Sequence, residues 1–341
     1  MLCSKIVCMK IIRLGTYKTG FTYYKVSGRS SGSEGNKVEI TDSKEIDKIR
    51  ALKIPPAYEN VTILNNKKII AFGYDSKNRK QVLYHPSFIA KQNIKKYNKI
   101  SMASIKFFSK LKRKISEDLG GGGSGGGGNE KTLATAVIIT LILSCGFRIG
   151  NKKYEKVNNS VGLTTLKYKH IEFQETNQKL IIDFIGKKGV RNVAECDNKI
   201  IYDYLYQKNK NNMNHSDGDQ RDAYVFTYDG NKVISSSDVN EYLRRISEPY
   251  SIVITTKDLR TWNANMLFLM YYKKLRKHKV KRHSSETAAA AAAAADTKDI
   301  EKDIKKAIEM VAEKLHNSYS ICKKSYIDPK IIEELLEKDK K

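Results

Sequence analysis

Acidic side chains are scarce in this chain of 341 residues: 37 Asp and Glu stand against 63 Lys and Arg, a formal charge of +26. So large an imbalance points to a polyanionic partner, because lysines and arginines attract phosphates and gain affinity by releasing their counterions. A solvated basic surface is the plainer alternative, and RNA or an anionic membrane answers the charge as well as DNA does. Cysteine is scarce too. Cys3, Cys8, Cys145, Cys196 and Cys322 form no Cys-x-x-Cys pair and no other metal-ligand spacing, which fits a reducing, intracellular setting. No cluster of carboxylates offers a metal site either. The N-terminus lacks the sustained apolar core and small-residue cleavage site of a secretory leader. The longest uncharged run, Leu133 to Phe147, falls short of the roughly 20 residues that span a bilayer and reads as a buried helix. No repeat of fixed period is visible.

With 40% hydrophobic residues the chain has room for two domains, each with its own core. Up to about Tyr84, short apolar runs alternate with turn signals. The runs are Phe21-Thr-Tyr-Tyr-Lys-Val26, Val61-Thr-Ile-Leu64, Lys68-Ile-Ile-Ala-Phe72 and Gln81-Val-Leu-Tyr84, with Asn65-Asn66 and Asp75-Ser-Lys-Asn78 between them. They predict a small β-rich N-terminal domain, in which the polar loop Gly28 to Gly35 is flexible. From Phe88 to Leu119 the pattern turns helical and strongly basic, as solvated helix faces commonly are. Gly120 to Gly128 and the alanine octet Ala288 to Ala295 differ from the Lys/Asn/Ile-rich chain around them. Both look engineered in place of loops of a natural parent and are set aside for function. The first is a flexible linker, and the second can extend a neighbouring helix. The expected organisation is therefore an N-terminal domain over residues 1–119, a linker over 120–128 and a mainly helical domain over 129–341.

Within the helical part, five stretches carry chemistry. The apolar helix ends at Cys145-Gly-Phe-Arg148-Ile-Gly150, which puts a guanidinium at the core's edge near the negative end of a helix dipole. Apolar runs flank Gly186-Lys187-Lys188-Gly189, predicting a β-hairpin with both lysines at its tip. Asp238-Val-Asn-Glu241 has the spacing of a capping box. Thr256-Lys-Asp-Leu-Arg260-Thr-Trp262 opens a long helix with Thr256 as its cap. Arg260 then sits at a helix end that favours anions, as a cation serving a bound anion would. The only tryptophan, Trp262, is expected in the core. Ile300, Ile304, Ile308, Val311 and Leu315 lie at helical spacing and deliver His316, ten residues before Tyr326. Lys323 and Lys324 just upstream favour a phenolate at Tyr326, which can then act as a nucleophile on phosphorus.

The ordered set Arg148, Lys187, Arg260, His316, Tyr326, in these contexts, resembles the type IB DNA topoisomerases. The likeness is carried by Cys145-Gly-Phe-Arg-Ile-Gly-Asn-Lys-Lys-Tyr154, Val161-Gly-Leu-Thr-Thr-Leu-Lys-Tyr-Lys-His170, Phe184-Ile-Gly-Lys-Lys-Gly189, Lys257-Asp-Leu-Arg-Thr-Trp262 and Tyr326-Ile-Asp-Pro329. In the first domain Ile49-Arg-Ala-Leu-Lys-Ile-Pro-Pro-Ala-Tyr58 and Gly73 to Pro86 look like that family's N-terminal domain. The compact poxvirus, giant-virus and bacterial enzymes are the nearest in character. Ser318-Tyr319 departs from the Thr-Pro of many relatives, and Val82 from an aromatic that approaches DNA.

The resemblance implies an α+β fold, with a β-rich N-terminal domain and a helical catalytic domain bearing a small β-hairpin region. It implies relaxation of supercoiled duplex DNA through a 3′-phosphotyrosine on Tyr326, with no cofactor or metal. Arg148, Arg260 and His316 would be donors to the phosphate and Lys187 the general acid. Gln81, Tyr84, Tyr154 and Lys188 would contact DNA, and a monomer would close on the duplex as a clamp. A site-specific tyrosine recombinase shares the chemistry, and a noncatalytic DNA-binding protein shares the charge.

Overall fold

The computed structural model describes residues 10–27, 36–120, 129–213, 220–280 and 289–338. The Gly28 to Gly35 loop, most of the Gly/Ser linker and Ala288 lie outside these residues. The chain divides into two compact units between Lys96 and Tyr97.

In the first unit, strands β1 (Lys10–Thr16), β2 (Gly20–Ser27) and β3 (Asn36–Glu39) are followed by helix α1 (Ser43–Arg50). Strands β4 (Glu59–Ile63), β5 (Ile69–Tyr74) and β6 (Lys80–Tyr84) complete it. All pair antiparallel in the order β3-β2-β1-β4-β5-β6. Alternation sends Tyr23, Val61, Ile63 and Ala71 into a core closed by Ile40 and Ile49. The turns form where asparagine and aspartate side chains replace backbone partners. The Asn66 Oδ1 accepts from Lys68 N at 2.9 Å and Ile69 N at 2.7 Å, and Asp75 Oδ1 accepts from Lys77 N and Arg79 N. Arg13 is buried on β1, where its guanidinium donates to the carbonyls of Ile54, Pro55 and Tyr58 and lies over the Phe21 ring.

Helix α2 (Pro86–Lys106) runs through the division and leads to α3 (Phe108–Gly120), α4 (Glu130–Cys145) and α5 (Lys152–Asn158). A three-stranded antiparallel sheet follows, β7 (Ile171–Gln174), β8 (Lys179–Ile185) and β9 (Arg191–Cys196). Then come α6 (Lys199–Met213), the short pair β10 (Thr227–Tyr228) and β11 (Lys232–Val233), and α7 (Ser236–Ser247). The long helices α8 (Thr256–Val280) and α9 (Ala289–Lys314) precede α10 (Tyr319–Ser325) and α11 (Pro329–Lys338). Seven of the eight alanines thus form the start of α9.

The fold is α+β, a β-rich N-terminal part and a mainly helical remainder. Helix α4 is buried on nearly every side, as its unbroken apolar run requires. Against it pack Phe107, Phe108, Leu111, Phe147 and Trp262, whose ring stacks on Phe108 with centroids 4.1 Å apart. The basic stretch after Phe88 is not simply a solvated face. From Tyr97 onward Ile100, Ala103, Phe107, Phe108, Leu111, Ile115 and Leu119 enter this core, so the units separate inside α2 and not at the Gly/Ser run. A second cluster joins α8 to α9, α10 and α11 through Phe268, Ile304, Ile308, Val311, Leu315, Cys322 and Ile327. Two caps lie slightly upstream of their sequence positions. Ser235, not Asp238, caps α7 with Asp238 as its reciprocal partner, and Thr255, not Thr256, caps α8 with Asp258. Among the described residues no helix is long and apolar enough to cross a membrane.

Candidate active site

The site is assembled where the C-terminal ends of α4 and α9 meet the first turns of α8. Gly146 ends α4 in the left-handed conformation (φ 69°), and a Cβ there would run into the Lys314 carbonyl, so only glycine lets the two helix ends approach. Phe147, fully buried, anchors the chain before Arg148 emerges half-buried. The Arg148 backbone is fixed by Leu163 N donating to its carbonyl at 3.0 Å, and its guanidinium donates to Asn317 Oδ1.

Arg260 projects from α8 and is 4% exposed. Its positive charge at the wrong end of its own helix is met by other helices: it donates to the carbonyls of Gly146, just past α4, and of Leu315, just past α9, the latter at 3.2 Å. Two negative helix ends therefore solvate one guanidinium. Burial pushes its pKa down, but arginine remains protonated in proteins.

Helix α9 closes in a Schellman motif, with His316 N donating to Glu313 O and Asn317 N to Ala312 O. His316 occupies the left-handed position (φ 51°) usually given to glycine. Its ring stacks on Phe147 with centroids 5.2 Å apart, and Nε2 donates to the Cys145 carbonyl at 3.1 Å. Burial first, then the charges of Arg260, Arg148 and Lys314, hold its pKa below the ordinary value against the contrary effect of that hydrogen bond. Neutral imidazole thus donates through Nε2 to the protein itself. The residue after it carries an uncommitted donor: Asn317 Nδ2 is buried and has no hydrogen-bond partner among the described residues.

Tyr326 follows α10, a helix capped by Ser318, so serine here does the capping work of a threonine. The phenol is half-buried, and the Arg260 guanidinium lies 5.6 Å from its ring centroid. Burial raises its pKa, yet Arg260, Arg148 and Lys187 outweigh that effect and hold the phenol below the usual tyrosine range. The cations responsible come from distant elements. Lys323 and Lys324, adjacent in sequence, are exposed, and the Lys323 ammonium lies 5.9 Å from the Tyr319 ring instead. Asn265 grips the same segment: Nδ2 donates to the Tyr326 carbonyl at 2.9 Å, and Oδ1 accepts from Asp328 N at 2.8 Å.

Lys187 is exposed on the one-turn tip between β8 and β9, as the sequence predicted. Asn192, 1% exposed, braces that tip by donating to the Val190 carbonyl at 2.8 Å. Lys188 beside it is exposed with φ 64°. Tyr154 stands 60% exposed on α5. In the first unit Gln81 donates to Asp75 Oδ2 at 2.9 Å, and Tyr84, 38% exposed, stacks on Phe88.

Arg148, Arg260, His316 and Tyr326 are thus brought together, and the charge of Lys187 reaches the same phenol. The residues that sequence reasoning missed are Asn317 and Asn265. Asn317 follows a histidine already singled out, whereas a helical asparagine such as Asn265 carries no sequence signal of its role.

Two guanidiniums and a lysine whose charges bear on one half-buried phenol make a cationic setting suited to chemistry on a phosphate. Comparison with known proteins agrees. Residues 77–341 match the family described as eukaryotic DNA topoisomerase I, catalytic core, and residues 20–75 match the bacterial DNA topoisomerase IB N-terminal domain. DNA topoisomerase 1B of Acanthamoeba polyphaga mimivirus is 28% identical over 298 residues, 86% of this chain and 80% of the relative. DNA topoisomerase I of Monkeypox virus and DNA topoisomerase 1B of Vaccinia virus (strain Copenhagen) are each 26% identical over 245 residues, 67% of this chain and 67% of the relative. The chain belongs to the type IB DNA topoisomerases. It acts on duplex DNA, relaxing supercoils by transient cleavage of one strand, rotation and religation.

Proposed function

We propose that Tyr326 is the nucleophile. Its oxygen attacks a backbone phosphorus in line, the bond from phosphorus to the 5′ oxygen breaks, and a 3′-phosphotyrosine and a free 5′-hydroxyl result. Lys187 gives its proton to the departing 5′ oxygen. Arg148 and Arg260 donate to the nonbridging oxygens, where charge concentrates in the transition state. The ester conserves the energy of the broken bond, so the 5′-hydroxyl reverses the step without ATP.

His316 was expected as the third donor to the phosphate, but its Nε2 is taken by the Cys145 carbonyl. Asn317, with its buried amide nitrogen unpartnered among the described residues and its oxygen on Arg148, assumes that task, and His316 positions it from the Schellman turn. Gln81, Tyr84, Tyr154 and Lys188 contact the duplex, and a monomer of N-terminal domain and catalytic domain embraces it as a clamp in a reducing, DNA-containing compartment.

The observation that carries this reading is the Tyr326 phenol lying beside Arg260 and held acidic by cations from three separate elements. The experiment mixes the enzyme with supercoiled plasmid in EDTA and follows relaxation together with the denaturation-trapped adduct. Wild type relaxes the plasmid and forms a 3′-linked adduct; Tyr326→Phe does neither. Relaxation by Tyr326→Phe at the wild-type rate overturns the assignment.

A further inference from the structure

The backbone just past the nucleophile is held from an unexpected quarter. Tyr97, on α2 and one residue beyond the division between the units, donates its hydroxyl to the Ile327 carbonyl at 2.6 Å. The ring is 5% exposed, and the two residues are 230 apart in sequence. Two residues further along α2, Lys99 Nζ pairs with Asp258 Oδ2 at 2.7 Å. Asp258 is the carboxylate that completes the cap of α8 two residues before Arg260. One stretch of α2 therefore bears on both the nucleophile's segment and the helix that carries a phosphate ligand.

We propose that Tyr97 is a positioning residue for the attack: its hydroxyl fixes the Ile327-Asp328 peptide, one residue past the nucleophile, so that the phenol approaches phosphorus in line, and through it α2 bears on the reacting group. Burial, followed by the charge of Asp328, raises the Tyr97 pKa, so the hydroxyl is a permanent donor at any working pH. With Asn265 on the preceding carbonyl and the following amide, three successive residues have their main chain fixed, and the side chain at Tyr326 inherits that fixity. Misplacing a reacting group by a fraction of a bond length is expensive in rate but not in affinity, which gives the role its signature.

The inference rests on Tyr326 being the nucleophile. Its test is Tyr97→Phe, which removes one oxygen and keeps the buried ring. Single-turnover cleavage is measured on a duplex, on the same duplex with sulfur at the bridging 5′ position, and alongside duplex affinity and Tm. Cleavage is expected to fall about ten- to a hundredfold while Kd stays near wild type and Tm drops by only a few degrees, as the loss of one buried hydrogen bond requires. The loss is expected to persist with the sulfur leaving group, since a misaligned nucleophile is not helped by an easier departure. A cleavage rate within twofold of wild type, a loss mirrored in Kd, or full recovery on the sulfur substrate overturns the inference. In each of those cases a wild-type adduct at Tyr326 leaves the functional reading standing; absence of that adduct in wild type defeats the reading itself.

Discussion

Replacing Asn317 by alanine tests the placement of the third donor. The substitution removes an amide whose Nδ2 is buried and unpartnered among the described residues and whose oxygen accepts from Arg148. Losing one preorganised donor to a developing anion lowers a rate about 100- to 1,000-fold, ~2.7–4 kcal/mol of transition-state stabilisation. Stability should change little, because Arg148 is only half-buried and water can replace its lost partner, an exchange of about 1 kcal/mol. His316→Asn serves as the contrast. It keeps a residue type that tolerates the left-handed conformation but gives up the stack on Phe147 and the bond to Cys145. Its effect belongs in Tm, at about 1–2 kcal/mol, with cleavage reduced about tenfold at most as the turn loosens. The assay is single-turnover formation of the covalent adduct on a short duplex with enzyme in excess. A reversal, with Asn317→Ala near wild type and His316→Asn reduced a hundredfold or more, would refute the reasoning and return the imidazole to the phosphate.

Three further expectations concern the proton, the phenol and the helix junction. Lys187→Ala should cleave ordinary DNA about 100- to 10,000-fold more slowly yet recover most of its rate when sulfur replaces the bridging 5′ oxygen, because a thiolate leaves without a proton; no recovery would remove Lys187 from the acid role. With the Tyr326 phenolate as the proposed attacking form and surrounding cations lowering its pKa, cleavage should rise with pH and level off below the range of free tyrosine. Arg148→Ala takes away a stabilising cation, so its plateau should move to higher pH, and an unmoved midpoint in rate against pH would contradict the electrostatic account. Gly146→Ala forces a side chain into a left-handed position against the Lys314 carbonyl, and should cost at least about 1–3 kcal/mol by thermal unfolding while depressing cleavage through displaced Arg260.

The sequence showed most where local chemistry and local structure coincide. The apolar α4 run, the glycine-lysine hairpin and the out-of-place cation Arg260 each follow from residues close together in the chain. β3 escaped because all four of its residues are exposed and leave no apolar alternation. The basic helices misled for a related reason: lysines dominate their composition, while every third or fourth residue faces the core. At the site, charge was sought in Lys323 and Lys324 because they precede Tyr326, but both are exposed near the end of a helix, and the effective charges arrive from α4's end, α8 and the hairpin. Asn317 was hidden for a geometric reason, since only the Schellman turn at the end of α9 decides which of two adjacent side chains meets Arg148.

The two-point hold of Asn265 on either side of Ile327 bears on what happens while the duplex is nicked. With Tyr326 as the proposed nucleophile, the severed end in the ester is moored to a packed helix instead of a slack tail. Torsion can then escape only by swivelling of the opposite end, and after each revolution the waiting phosphorus is found where it was left. On the proposed mechanism, the number of turns released per nick is expected to follow torque in the DNA and drag on the turning strand, with little contribution from looseness in the polypeptide.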